Sequence, residues 1–313
     1  MNQPHLPQVY EPPIGPEPIL ISEAPAPEKT AYRLPLLFFL LAVVTTSWAG
    51  TRWHLGFLGE TRLSAVHLIH GISYSLVVLS ILLAHEMGHY LTCRHYSIRA
   101  TLPYVVPFLP ILFGTMGAVI RIKSPFLNRR QLFDVGIAGP IAGFVFLVPA
   151  LIVGLQRSQA APPLSGSEGI LIGTPLLFQW LRPWFYPGDL SSLMSLHPIG
   201  LAALFGMLAT GLNLLPMGQL DGGHIVYALF GERAHRIVSH ITFVSLLTLS
   251  FFSWPMPTYL LFALLIRLLG FRHPAPLYGT SGRLGRGRVG LAVAALLIFF
   301  LTFVPVPFRL VGG

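Results

Sequence analysis

Apolar runs long enough to cross a bilayer recur along this chain and constrain its fold more than any other feature. About 17 to 25 predominantly apolar residues cross a hydrocarbon core of about 30 Å. Lipid offers no partner for backbone N–H and C=O groups, so each such run has to be helical. The runs fall at 34–50, 66–92, 131–154, 197–230, 237–253, 255–270 and 289–305. They predict an all-α polytopic membrane protein with six to seven transmembrane helices, the short 255–270 run making the difference. Composition agrees, since 53% hydrophobic and 10% charged residues leave too little polar surface to cover a soluble globule of 313 residues.

The ends and loops fit this reading. Residues 1–33 are proline-rich, carry Glu11, Glu17, Glu23 and Glu28, and have no basic segment leading into an apolar core. They read as a disordered cytoplasmic tail, not a secretory signal. A transmembrane domain follows over 34–305, and 306–313 form a C-terminal tail. With the N-terminus in the cytoplasm, basic residues such as Arg94, Arg121, Lys123, Arg233 and Arg288 fall on the cytoplasmic side. Only Arg52, Arg62, Arg157, Arg182 and Arg309 fall outside, as the positive-inside rule requires. The net charge of +9 therefore reports topology, and it calls for no nucleic-acid partner. The segment 155–196, with Trp180, Trp184 and Tyr186, reads as an external loop, and 278–288 as a basic linker beside lipid headgroups. A single cysteine, Cys93, excludes an internal disulfide framework.

Residues 101–124 are apolar yet broken by Pro103, Pro107, Pro110, Gly114 and Gly117, which argues against a straight spanning helix. The partly alternating "TMGAVIRIK" within it predicts a short strand or hairpin dipping into the membrane. Non-helical backbone at that depth needs protein or a water-filled cavity around it. The alternative is an interfacial loop.

The second run carries "HEMGH". On a helix His85 and His89 are i and i+4, so both imidazoles face one ion, and Glu86 stands beside them to deprotonate a water. The spacing suits zinc. Three polar groups in lipid are costly unless paired, so a function is the default reading, and bonding to neighbouring helices is the alternative. Two histidines leave a site incomplete. Asp221, in "NLLPMGQLDGGH", lies at matching depth in the fourth run, where Pro216, Gly218, Gly222 and Gly223 are expected to unwind the helix and bring it to the metal. His224 reads as a packing residue close to the metal, His67, His70, His235 and His240 as interfacial, and Cys93 as a packing thiol.

HEMGH followed downstream by Asn213, Pro216 and Asp221-Gly222, with "GTMGAVIRIKSP" and "LFDVGIAGPIAGFVF" between, resembles the site-2 protease family of intramembrane zinc metalloproteases, especially its plastid and cyanobacterial subgroup. The likeness covers residues 66–270 and leaves no room for the PDZ or CBS domains of some relatives. It implies one catalytic zinc held by His85, His89 and Asp221, with Glu86 as general base and acid. It also implies that Asn213 orients the substrate backbone or oxyanion, and that a re-entrant β element around Gly114 and Gly117 pairs with an extended transmembrane substrate. Gly139 and Gly143 would pack the third span closely. The expected function is cleavage of a transmembrane segment of another membrane protein, at a site toward the cytoplasmic side of a cell inner membrane or organelle membrane. The rival is a non-proteolytic metal or proton carrier, or an inactive homologue. A carrier needs ionisable residues spaced across both leaflets, whereas these cluster in one half.

Overall fold

The computed structural model describes residues 32–109, 113–161, 169–253, 257–271, 275–277 and 284–311. Most of the acidic tail (1–31), Pro110, Pro162, Pro163 and the greater part of the basic linker (278–283) lie outside the described residues. In chain order the elements are α1 (Arg33–Leu58), α2 (Ala65–His95), β1 (Tyr104–Pro107), β2 (Thr115–Val119), α3 (Arg129–Gln156), β3 (Gln159–Ala160) and β4 (Gly169–Ile172). They continue with α4 (Leu176–Phe185), β5 (Met194–Ser195), α5 (Pro198–Asn213), α6 (Asp221–Phe252), α7 (Thr258–Leu269), α8 (Arg286–Thr302) and β6 (Phe308–Val311).

Among the described residues, α1, α2, α3 and α6 are long and apolar enough to cross a membrane, while α5 and α7 are shorter apolar helices. Polarity is inverted relative to a water-soluble protein. Leu76 is 64% exposed and Phe251 79%, whereas Thr46 and Ser75 are buried and joined hydroxyl to hydroxyl at 2.6 Å. Apolar side chains turned outward and paired polar groups turned inward make this an integral membrane architecture. The helices approach closely where side chains are missing. A Cβ on Gly71 would fall 2.1 Å from Thr51 Oγ1, and one on Gly88 2.5 Å from the Ala138 carbonyl. Thus α2 is pressed between α1 and α3.

Two expected spans are organised differently. The apolar run 197–230 breaks after Asn213 into the loop 214–220, where Pro216 stands and Gly218 takes φ +56°. Asp221 then opens α6, which continues through the run expected separately at 237–253. Gly231, at φ 83° and ψ −179°, is the non-helical joint in α6. Its interruption leaves carbonyls to satisfy, and Arg129 donates to Ala228 O at 2.7 Å and Leu229 O at 2.8 Å. The 155–196 segment, expected as a loop, contains α4, because Leu177, Phe178 and Leu181 supply one apolar face that is buried on the core. The exposed Trp180 and Trp184 lie on its other side.

The sheets are small antiparallel pairs, β1 with β2, β3 with β5 and β4 with β6, so residues 308–311 are tied back to 169–172. In the first pair Tyr104 faces Val119 and Val105 faces Ala118, with an irregularity before Pro107 meets Thr115. The turn side of this hairpin seats on α1. Thr45 Oγ1 donates to Gly114 O at 2.6 Å, and Gly114, at φ +77°, has no room for a Cβ, which would lie 2.5 Å from Thr45 O. Tyr74 of α2 donates to the Phe113 carbonyl at 3.2 Å.

In the second turn of α3, Asp134 is gripped by Arg288 of α8 with Nε to Oδ1 at 2.8 Å and an Nη to Oδ2 at 2.6 Å, and the Tyr96 hydroxyl also donates to Asp134. Asp134→Ala is expected to destabilise the fold by about 1–2 kcal/mol, less than for a fully buried pair, because the Arg288 side chain retains 29% exposure. The fully buried Cys93 is the chain's one thiol. Its reaction with a thiol-specific dye during heating reports the transition, which should move to lower temperature.

Candidate metal centre

One helical turn separates His85 from His89 on α2, and their ring centroids lie 4.9 Å apart. Asp221, the first residue of α6, reaches them from across the bundle. Its Oδ2 lies 3.1 Å from His85 Nε2 and its Oδ1 3.3 Å from His89 Nε2. One donor atom from each of the three residues falls within 4.8 Å of the other two. His89 Nδ1–H donates to the Val135 carbonyl at 2.7 Å, which fixes the tautomer and leaves the Nε2 lone pair directed at the cluster. Two imidazole nitrogens and one carboxylate oxygen, all buried, are a donor set that fits zinc.

Asn213, the last residue of α5, places its Nδ2 3.3 Å from His85 Nε2. Glu86 is buried beside the cluster but outside it, and its carboxylate accepts the backbone N–H of Ile120, the residue after β2. The hairpin therefore meets the site at the end of β2. Of the hairpin glycines, Gly114 packs on α1, while a Cβ on Gly117, at φ +108°, would meet nothing within 4 Å. A cavity of about 500 Å³ opens between the strand end and the Asp221 loop, lined in part by Ile120, Ser124, Gln219 and His224.

Three features of the site escape sequence reasoning. The first is the α3 wall. Gly139 and Gly143, expected as a small-residue helix contact, face the imidazoles: a Cβ on Gly139 would fall 2.1 Å from His89 Nε2, and one on Gly143 3.2 Å from His85 Cβ. Gly136 gives the same clearance to His224, whose Cβ would be 2.7 Å away. The second is His235, which is 1% exposed. It donates to Gly218 O at 2.9 Å, and Ser239 Oγ accepts Gly218 N–H at 3.3 Å, so α6 holds the loop that delivers its own Asp221. Flanking Arg233 and Arg236 disguise His235 as a surface residue. The third concerns Gly222 and Gly223. Both lie inside α6, where they do not unwind the helix but let the loop fold tightly across its first turn. Their Cβ atoms would lie 2.1 Å from Leu214 O and 2.4 Å from Gly218 O.

The model of peptidase family M50 matches residues 73–253, which is 181 of the 313 residues and includes His85, Glu86, His89, Asn213 and Asp221. The chain belongs to peptidase family M50. Among curated proteins, this M50 member is 31% identical over 234 residues to "Probable zinc metalloprotease EGY1, chloroplastic" of Arabidopsis thaliana, a match covering 73% of the chain and 42% of the relative. It is 31% identical over 250 residues to "Probable zinc metalloprotease EGY2, chloroplastic" of Oryza sativa subsp. indica, covering 76% and 43%. The Arabidopsis EGY2 protein is 29% identical over 254 residues, covering 78% and 43%. The chain thus spans about two fifths of the length of these relatives. No solved structure matches it significantly. The plastid-type M50 resemblance read from the motifs is the one these relatives show, and zinc is the metal their names give.

Proposed function

We propose that this chain is an intramembrane zinc endopeptidase that cuts a transmembrane segment of another membrane protein. The observation that carries the reading is the convergence of His85, His89 and Asp221 with Glu86 beside them, bonded to the end of a strand. Zinc held by His85, His89 and Asp221 would supply Lewis-acid activation of the attacking water and the scissile carbonyl. Glu86 takes a proton from that water as its oxygen bonds to the carbonyl carbon. It returns the proton to the amine nitrogen as the C–N bond breaks. Asn213 Nδ2 offers a donor to the developing oxyanion. Val135 keeps the His89 ring in register throughout.

The substrate has to be extended, because helical carbonyls are already hydrogen-bonded. Among the described residues β2 pairs with β1 alone. Its second edge, ending at Glu86, is available for β-augmentation by an unwound substrate segment. We read the hairpin of Gly114 and Gly117 as re-entrant. Support comes from Thr45, the thirteenth of the 26 residues of α1, against which Gly114 seats. Six to seven crossings, a cytoplasmic N-terminus and a site toward the cytoplasm complete the proposed topology. The catalytic domain then spans 34–305 with its core at 66–270, and residues 308–311, expected as part of a C-terminal tail, are joined to it by the pairing of β6 with β4. The cavity beside Gln219 and His224 gives water a route to the site.

Proteoliposomes carrying the protein and single-span tagged substrates test this. A span with a helix-breaking Asn-Pro pair in its cytoplasmic half should be cut within the apolar segment, and an all-leucine span should resist. Cleavage should stop with 1,10-phenanthroline and return with added zinc. Cuts confined to water-exposed segments, or indifference to chelation, would overturn the reading.

A further inference from the structure

The far end of the bundle holds a second constellation that the reaction does not use. His54 near the end of α1, His70 in the second turn of α2 and His197 at the N-cap of α5 each bring a ligand nitrogen within 4.8 Å of the other two. The His54 and His70 rings stack at 3.9 Å and 14°, and the His197 ring stands edge-on 5.4 Å from His70. His54 is 3% exposed, and its buried Nδ1 has no hydrogen-bond partner. Buried polar atoms seldom go unpaired without a reason such as a missing ion or water. The neighbouring His67 is already committed. Its Nδ1 accepts Ser64 N–H at 3.1 Å, capping α2, while its Nε2 lies 3.2 Å from Glu60 Oε2 but off the hydrogen-bonding direction.

We propose that His54, His70 and His197 form a second site, for a zinc-class divalent transition metal, that ties together the ends of α1, α2 and α5. Imidazole suits zinc, nickel, copper and cobalt, and three such ligands leave a fourth position for water. Two adjustments accompany binding. His197 Nδ1 accepts Ile199 N–H at 3.2 Å, a long cap that is exchanged for coordination. His54 and His70 turn out of their parallel stack so that both lone pairs reach one ion. Both adjustments make this the more weakly held metal. His70 lies 15 residues before His85 on α2, about 22 Å along the axis. Between them Val78, Leu79, Ile81 and Leu82 are buried in apolar core, so the two sites are not stations on one ion path.

The test does not depend on proteolysis. A full-length His85→Ala, His89→Ala variant is purified in detergent with a histidine-free tag, equilibrated with Zn²⁺, desalted and analysed for metal. About one zinc per chain is expected there, and about two in the unaltered protein. Adding His54→Gln or His197→Gln should remove the remaining zinc while Cys93 stays protected from thiol dye. A double variant that binds no zinc with Cys93 protected, or zinc that survives both glutamine substitutions, would overturn the proposal. If a glutamine variant exposes Cys93, carbethoxylation of His70 in the double variant decides. Protection by Zn²⁺ supports the site, and equal modification with and without Zn²⁺ overturns it.

Discussion

Glu86→Gln is expected to lower cleavage by about 10²- to 10⁴-fold, the range for losing a general acid and base, while leaving bound zinc unchanged. Glutamine keeps the shape of the side chain and can still accept the Ile120 N–H that the carboxylate accepts. It cannot take a proton from water. Because Glu86 lies outside the His85, His89 and Asp221 donor set, the metal count should not move. Fragment yield in proteoliposomes and zinc per chain, measured on the same preparation, check the two halves separately. Undiminished cleavage would remove Glu86 from the mechanism, and loss of zinc would make it a ligand.

The second large effect is expected from Gly139→Ala, a change that adds one methyl group. In an exposed helix this replacement stabilises by about 1 kcal/mol. Here the new Cβ would sit 2.1 Å from His89 Nε2, against a ring whose Nδ1 is pinned to Val135 O and whose helix lies against α3 at Gly88. The ring has to move by about 1 Å, and displacements of that size at a reacting centre cost about 10²-fold in rate. Zinc content and cleavage should fall together, with Cys93 still protected from thiol dye. Gly290→Ala on α8 is the control, since a Cβ there meets nothing within 4 Å. Equal zinc content in the two variants would show that the α3 wall does not hold the imidazoles.

These two predictions draw on different kinds of information. The chemistry at Glu86 is legible in five consecutive residues, because helical periodicity alone puts His85 and His89 on one face. Asp221 was accessible by a longer route, through depth in the membrane and the loop-forming Pro216 and Gly218. The resemblance to site-2 proteases then joined these parts into one site. By contrast, hydropathy runs straight through Leu214 and Leu215, so the break between α5 and α6 is blurred into one apolar run. The joint at Gly231 is hidden because a single glycine within an apolar run has no unique reading.

The sequence by itself determined that the chain crosses membranes, that it carries a zinc-type histidine pair with an adjacent base, and which family it resembles. The first is set by composition and the second by spacing within one element, while the resemblance rests on motifs whose order along the chain can be read without knowing how they meet. Only the tertiary structure decided that Gly139 clears space for His89, that His235 holds the Asp221 loop, and that His54, His70 and His197 meet. Those relations join residues on different helices, and helix periodicity fixes which face a residue occupies but not which neighbour that face will meet.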